Sequence, residues 1–134
     1  MLFKFKIRTS RKQEMVGITD RVKEFVEKSK IKRGICVVYT PHATCGIIIN
    51  ENYDESVCSD ILNKLEQIAP ENGNYEHDKI DNNAHSHIKA SIIGPNETII
   101  IENGKLLLGT WQGIALAEFD GARDRIVFVK MIGE

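Results

Sequence analysis

The alternation of apolar and polar residues predicts β-strands in the first part of the chain. Phe3, Phe5 and Ile7 alternate with charged residues, which is the two-residue period of a half-buried strand. Residues 14–19 are β-branched enough to form a second strand, so the two are expected to pair as an opening hairpin. Residues 35–40 (ICVVYT) are mostly apolar without strict alternation, which predicts a central strand buried on both faces.

A first helix is predicted where apolar residues change to a spacing of three to four. Asp20 would cap this helix, and the helix would end before Gly34. Val22, Phe25 and Val26 share one face and are expected to be buried.

Two further helices are predicted in the middle of the chain. The clearer one has Asp54 as a cap and Pro70 as a stop. Its apolar stripe consists of Val57, Ile61, Leu65 and Ile68. A third, short helix is expected from a cap within residues 81–83 to about Ile93. Its buried face is expected to carry Ala84, Ile88 and Ile92.

The last third of the chain changes to strand patterns separated by turn residues. Asn103–Gly104 suits a type I′ hairpin turn, and Asp120–Gly121 marks a second turn. The predicted strands are residues 97–102, 105–108, 113–119 and 125–131. Helices followed by a meander favour an α+β fold, a single compact domain of residues 1–134 with mostly antiparallel sheet and two to three helices.

Composition excludes several classes of function. The chain has 134 residues, enough for one domain with a real core. Its 18 basic and 19 acidic side chains leave a net charge of -1, so no basic excess exists to neutralise a nucleic-acid backbone. No apolar run approaches the length of about twenty residues that a membrane span needs, and no signal peptide is expected. Three cysteines fit a reducing compartment, so we expect a cytoplasmic protein.

Three of the four histidines lie in short polar segments rather than in apolar runs. His42 follows a predicted strand and Pro41, and His77 lies in a polar loop. His85 and His87 are two residues apart, so on a helix they point roughly 200° apart and cannot both face one site. Imidazole is a common metal ligand and titrates near neutral pH, so histidines that converge would form a metal or acid–base site. Taken singly, each is an ordinary histidine bonded to backbone or solvent.

Four motifs occur together and in order: PHATCGIIINE, YEH, NAHSH and LGTWQGI. As a set, spanning residues 40–125, they resemble the motifs of the YjbQ-like family, also called the secondary thiamine-phosphate synthase family. The resemblance places the family's histidines on His42, His77 and His87 and leaves His85 outside the set. It also implies a compact α+β domain that assembles into trimers.

The resemblance further implies an enzyme that joins hydroxymethylpyrimidine diphosphate to thiazole phosphate with release of pyrophosphate, either as its main reaction or as a side activity. Three histidines that leave a coordination position open are typical of a catalytic divalent metal site, here Zn²⁺ or Mg²⁺. In the metal-free alternative, the same histidines bind and protonate a small phosphorylated substrate. A rival from another class is a non-catalytic trimeric protein that binds a metal or a small anion.

Other side chains are candidates for the same site. Glu51 follows an apolar run and would act as a base or orient a histidine, although a plain surface position is equally consistent with the sequence. Arg123 suits phosphate recognition, with an interfacial ion pair as the rival, and Lys89 would neutralise a leaving diphosphate. Trp111 is expected chiefly to pack in the core or at a subunit interface. The expected substrate-binding residues are Asn83, Lys89, Trp111, Gln112 and Arg123.

Cys45 stands three residues from His42, which suggests a Cys–His nucleophile. No orienting carboxylate or oxyanion donor accompanies the pair, so a buried, inert thiol is the better interpretation.

Sheet edges in a chain of this size must be covered. A closed trimer would cover them by symmetry, with the strands around Trp111 as the expected interface and with sites that draw residues from neighbouring subunits. The alternative is a monomer whose edge strand is protected by Lys4, Lys6 and Arg8.

Overall fold

The computed structural model describes residues 1–134 and contains eight strands and three α-helices. The strands are β1 (Leu2–Arg8), β2 (Glu14–Gly17), β3 (Gly34–Tyr39), β4 (Cys45–Asn50), β5 (Asn96–Glu102), β6 (Lys105–Leu106), β7 (Gly113–Glu118) and β8 (Asp124–Gly133). The helices are α1 (Thr19–Ser29), α2 (Glu55–Ile68) and α3 (Ala84–Ile93).

All strands pair antiparallel, in two sheets that lie one above the other. The larger sheet has the order β1-β8-β3-β5-β6, and the smaller has the order β2-β7-β4. Sixteen buried side chains form the main core between the two sheets, and three of them, Val22, Phe25 and Val26, come from the inner face of α1. A second apolar cluster joins Leu65 of α2 and Ala90 of α3 to Ala117 and Phe119, so these two helices cover the other face of the smaller sheet. The α+β architecture with mostly antiparallel sheet is therefore confirmed.

The predicted opening hairpin is wrong. β1 pairs with β8 over seven residues, from Leu2 opposite Lys130 to Arg8 opposite Asp124. β2 pairs instead with β7, in the other sheet. The two strands follow each other in sequence, but each pairs with a different, longer strand from the end of the chain. The alternation of apolar and polar residues within a strand does not show which other strand it pairs with.

β3 is central in the larger sheet, but only one of its faces is buried. Cys36 and Val38 have no exposed surface, whereas Ile35 and Tyr39 are 38% and 41% exposed. The prediction of burial on both faces is wrong because no helix of this chain covers the outer face of the larger sheet. That face also carries Ile100 and Ile132, both 53% exposed.

The helices begin and end close to their predicted positions. In α1, Val22, Phe25 and Val26 are buried as expected, but Ile18 occupies the capping position and Asp20 lies in the first turn. In α2, Asp54 is the cap, and its side chain accepts a hydrogen bond from the Ser56 amide at 2.9 Å. None of the three helices has the length and apolar character that a membrane-spanning segment needs.

The buried face of α3 differs from the prediction. Ala84 is buried, but Ile88 and Ile92 are 37% and 53% exposed. The buried side chains are largely polar: His85, Ser86, Lys89 and Ala90. Polar groups occupy this face because partners from distant segments satisfy them.

Candidate functional site

Two of the three motif histidines meet at the beginning of α3. A short 3₁₀ helix, Glu76–Lys79, carries His77 and precedes α3, which carries His87 one turn in. The two imidazole rings lie edge to face, with centroids 5.0 Å apart and planes at 89°. Together with Ala84 and Ile88 they line an open cavity of about 260 Å³. The convergence of His77 and His87 is the central feature of the candidate site.

Two buried polar atoms beside this cavity have no hydrogen-bond partner in the chain. They are His77 Nε2 and Asn83 Oδ1. The nearest carboxylate oxygen to His77 Nε2 is Asp81 Oδ2, at 3.7 Å, which is beyond hydrogen-bond length. Nearly all buried polar atoms in native proteins are paired, so these two atoms are candidate positions for a bound water, ion or ligand.

A polar chain extends from Asn83 to the β7–β8 turn. Asn83 Nδ2 donates to Asp120 Oδ2 at 2.9 Å. Arg123 donates to the same oxygen at 3.0 Å and to the Asp120 carbonyl at 2.7 Å. The Arg123 side chain remains 55% exposed, so its guanidinium is accessible to an anionic ligand while Asp120 orients it.

His42 is held by the backbone of β8. Its Nε2 accepts a hydrogen bond from the Ile126 amide at 2.9 Å, which fixes the neutral tautomer protonated at Nδ1. Burial lowers the pKa of His42, and the nearby Arg125 charge lowers the pKa further. His42 thus keeps a neutral ring with only Nδ1 available to a ligand or substrate.

A buried ion pair supports the loop that carries His42. Arg125 Nε donates to Glu118 Oε1 at 2.9 Å, and the two side chains are almost completely buried. Arg125 also donates to Thr44 Oγ1 at 2.8 Å, while Glu118 accepts from Thr9 Oγ1 and from the Asp120 amide. Burial alone would lower the pKa of Arg125, but the hydrogen bonds to Glu118 outweigh it and raise the pKa. This ion pair joins the His42 loop to the Asp120 turn, and Arg125 is not free to bind phosphate.

Lys89 and His85 are structural rather than substrate-facing. Lys89 has no exposed surface, and its Nζ donates to Glu66 Oε1 at 2.6 Å and to His85 Nδ1 at 2.9 Å. The expectation that Lys89 neutralises a diphosphate therefore has no support, since the ammonium links α3 to α2. Burial lowers the pKa of His85, and the Lys89 charge acts in the same direction.

The other predicted site residues lie apart from the histidines. Glu51 is half-buried, and its amide donates to Asn50 Oδ1 at 2.7 Å. Gln112 closes a turn, because its Oε1 accepts from the Gly109 amide at 2.8 Å. Trp111 projects from that turn and is 67% exposed, so it is not part of the chain's own core. None of the three lines the His77–His87 cavity.

No group of three His, Cys, Asp or Glu side chains in the chain is positioned to hold a metal ion. His77 and His87 fit a metal site as two adjacent imidazoles, and the unpaired His77 Nε2 is a suitable donor atom. Within one chain the set remains incomplete, because His42 does not join the pair. The largest cavity, about 590 Å³, lies between β1, β2 and the beginning of α1 and contains no histidine.

Two functional features were not found by sequence reasoning. Asp120 was interpreted only as a turn residue, yet it orients both Asn83 and Arg123. Glu118 was not singled out, although a carboxylate within an apolar strand whose six residues are all buried must have a buried partner. The position of Glu118 at the end of the apolar run GIALA is visible in the sequence.

Comparison with known proteins places these features in a family. Residues 3–134 match the family model described as UPF0047 protein YjbQ-like. A UPF0047 protein of Methanocaldococcus jannaschii is 51% identical over 134 residues, which cover 100% of this chain and 96% of that protein. The UPF0047 protein YugU of Bacillus subtilis is 40% identical, with 99% and 100% covered.

Solved structures agree with the same assignment. A crystal structure of a YbjQ-like protein of unknown function from Sulfolobus solfataricus superposes with a TM-score of 0.97 at 38% identity, covering 100% of this chain and 97% of that chain. An uncharacterized yjbq/upf0047 protein from Clostridium acetobutylicum gives 0.94 at 50% identity, with 97% and 99% covered. The chain belongs to the YjbQ-like UPF0047 family.

Proposed function

We propose that the chain is an enzyme resembling the secondary thiamine-phosphate synthases, acting at the His77–His87 cavity. The carrying observation is the pair of imidazoles 5.0 Å apart, one of which, His77, has a buried Nε2 without a hydrogen-bond partner. In the proposed reaction the bond between the pyrimidine methylene carbon and the diphosphate oxygen breaks. A carbon–nitrogen bond forms to the thiazole phosphate, and pyrophosphate leaves.

The side chains of the site have the chemistry that this reaction needs. A leaving diphosphate is stabilised by proton donation or by a cation, and neighbouring imidazoles supply the first. Arg123 supplies a fixed cation that is open to solvent on one side. A Zn²⁺ or Mg²⁺ ion held by His77 and His87 would supply Lewis-acid stabilisation of the same leaving group, and His42 would act as a hydrogen-bond donor through Nδ1 rather than as a ligand.

We propose a homotrimer as the active form, because the chain alone does not complete the set of three histidines. In a closed ring, His42 of one subunit would approach His77 and His87 of the next. The exposed apolar face of the larger sheet supports this assembly, since Ile35, Ile100 and Ile132 are neighbours on β3, β5 and β8. That face is a stronger candidate for the interface than the turn that carries Trp111.

The second candidate function is a trimeric protein that binds a metal or a small anion without catalysis. It is favoured by the lining of the cavity, which consists of His77, Ala84, His87 and Ile88 and includes no carboxylate. Binding would use the same histidines and Arg123, and no bond would be broken.

The two functions are separated by a direct assay. The purified protein, incubated with hydroxymethylpyrimidine diphosphate, thiazole phosphate and Mg²⁺, is expected to form thiamine phosphate. His87→Ala is expected to reduce the rate at least about 100-fold, the usual contribution of a positioned acid–base group. Lys79→Ala, an exposed change in the 3₁₀ helix that carries His77, is the control and should retain the wild-type rate.

Absence of thiamine phosphate above the His87→Ala background would exclude the synthase. In that case, ligand binding that depends on His87 but not on Lys79 would support the binding protein.

A further inference from the structure

The tripeptide Glu–Asn–Gly occurs twice in the chain, in two different surroundings. The first Asn–Gly pair, Asn72–Gly73, lies in the loop between α2 and the 3₁₀ helix. The second, Asn103–Gly104, forms the turn between β5 and β6. Both asparagines are exposed and have positive φ angles, 65° and 55°. Because their immediate neighbours are the same, a difference in their chemistry must come from the fold.

An Asn–Gly pair can react with itself. The amide nitrogen of the glycine attacks the side-chain carbonyl carbon of the asparagine, since glycine has no Cβ to hinder the approach. A bond forms between that nitrogen and Cγ, the nitrogen gives up its proton, and the side-chain amide leaves as ammonia. Water then opens the resulting succinimide ring. Opening at Cγ gives aspartate, and opening at the backbone carbonyl gives isoaspartate, whose backbone runs through Cβ and Cγ.

The fold protects the second pair from this reaction. The Gly104 amide donates to the Lys32 carbonyl at 3.0 Å, and Glu102 pairs with Lys105 on either side of the turn. The Gly104 nitrogen must lose its hydrogen bond, and the turn must open, before it can reach Asn103 Cγ.

The first pair has no such protection. The Gly73 amide donates no hydrogen bond to the backbone of the chain, and its loop is neither helix nor strand. The contact that closes this loop, from the Tyr75 hydroxyl to the Pro70 carbonyl at 2.9 Å, uses neither Asn72 nor Gly73. Attack of the Gly73 nitrogen on Asn72 therefore breaks no backbone hydrogen bond.

The packing of the loop also requires the reactive glycine. A Cβ added at Gly73 would collide with the ring of Tyr75. A larger residue at this position would hinder the attack on Asn72, but it would also displace that ring.

We propose that Asn72 is a site of spontaneous deamidation in the folded protein, which converts it to aspartate and isoaspartate. This site is separate from the proposed enzymatic reaction and does not depend on it. Both products carry one additional negative charge. Isoaspartate also adds a carbon to the backbone between Pro70 and Tyr75, which share a hydrogen bond. The altered loop leads directly into the 3₁₀ helix that carries His77.

Mass spectrometry of tryptic peptides measures the conversion while the full-length protein is incubated at pH 8. Residues 65–79 form the peptide with Asn72, and residues 90–105 form the peptide with Asn103, so each digest contains its own control. In the native protein, Asn72 is expected to convert at least about fivefold faster than Asn103, the factor that corresponds to one lost hydrogen bond. In denaturant the two rates should converge. Fragment ions distinguish Asn72 from Asn74, and labelling by an isoaspartate methyltransferase identifies the isoaspartate.

Asn72→Gln is the matched variant, because its longer side chain would have to close a larger and less favourable ring. It should abolish the conversion in peptide 65–79, and thermal unfolding verifies that it is folded. Equal native rates at Asn72 and Asn103 would overturn the proposal, as would conversion that persists in Asn72→Gln. A faster rate at Asn72 that persists in denaturant would overturn it too, because the difference would then not come from the fold. If the variant does not fold, the comparison of native and denatured wild type decides alone.

Discussion

At the scale of single residues, burial controls the ionisation and therefore the reactivity of the three cysteine thiols. Burial raises the pKa of Cys36 to about 11, and it also raises the pKa of Cys45 and of Cys58. Cys45 lies 3.6 Å from Thr40 Oγ1 and is 1% exposed, so it is a core thiol despite its position three residues from His42. This location agrees with the interpretation of Cys45 as inert rather than nucleophilic.

Thiol titration of the native protein tests this. At pH 8, Cys58 is expected to react slowly with an aromatic disulfide reagent, because it is the only cysteine that is not fully buried. Cys36 and Cys45 should react only after denaturant is added. Cys58→Ser should remove the native reaction, and a second thiol that reacts at the same rate as Cys58 would contradict the expectation.

The ionisation of Glu66 is coupled to the fold. Partial burial would raise its pKa, but hydrogen bonds from Lys89, the Glu71 amide and Gln13 outweigh burial and lower the pKa from 4.5 to about 2. The stabilising contribution of a carboxylate with a lowered pKa is complete above its ordinary value. This stabilising contribution is lost as the pH falls from 4.5 toward the lowered pKa of about 2.

Glu66→Gln is expected to unfold at a lower temperature than wild type at pH 7, because the buried Lys89 charge loses its carboxylate partner. The difference should shrink between pH 4.5 and pH 2, as wild-type Glu66 becomes protonated. Asp60→Asn, an exposed change on the same helix, is the control. Melting curves that stay parallel down to pH 2 would show that Glu66 does not contribute in this way.

At the scale of elements, the sequence predicts what depends on neighbouring residues and fails where partners are distant. Asp54 caps α2 as predicted, and the Asn103–Gly104 turn has the positive φ angles, 55° and 73°, of a type I′ turn. The apolar spacing in α3 predicts the wrong buried face, because Lys89 and Ser86 are buried against partners 23 and 33 residues away. For the candidate site, the resemblance points to His77 and His87, which the structure brings together. The positions of Glu51, Lys89 and Trp111 relative to them depend on contacts between distant segments, which local sequence patterns do not specify.

The two predicted caps provide a matched pair of substitutions. Asp54→Ala is expected to lower the free energy of unfolding by about 1 kcal/mol, the usual cost of losing an N-cap. Asp20→Ala should cost less than half as much, since Asp20 lies within the first turn of α1 and caps nothing. Urea unfolding measures both changes. An equal loss in the two variants would mean that the Asp54–Ser56 hydrogen bond does not stabilise α2.

At the scale of the whole molecule, the uncovered apolar face of the larger sheet is the surface through which we propose that the chain associates. Light scattering on the purified protein is expected to give three times the 15.1 kDa mass of one chain. Ile132→Asp places a charge among Ile35 and Ile100 and should return the mass to one chain. Ile92→Asp on α3, at equal 53% exposure, is the control. A wild-type mass near one chain would remove the trimer and the shared histidine site together.

The position of β8 in the larger sheet also has a consequence for how the protein is made. β8 lies between β1 and β3, so β1, which is synthesised before β8, has no partner in the sheet until residues 124–133 have been synthesised. Thr9 likewise cannot form its hydrogen bond to Glu118, 109 residues later in the chain, until the segment with the Glu118–Arg125 pair has been synthesised. During synthesis, Phe3, Phe5 and Ile7 therefore remain without their sheet, and a nascent chain stalled before residue 124 should be a strong client for chaperones that bind alternating apolar segments.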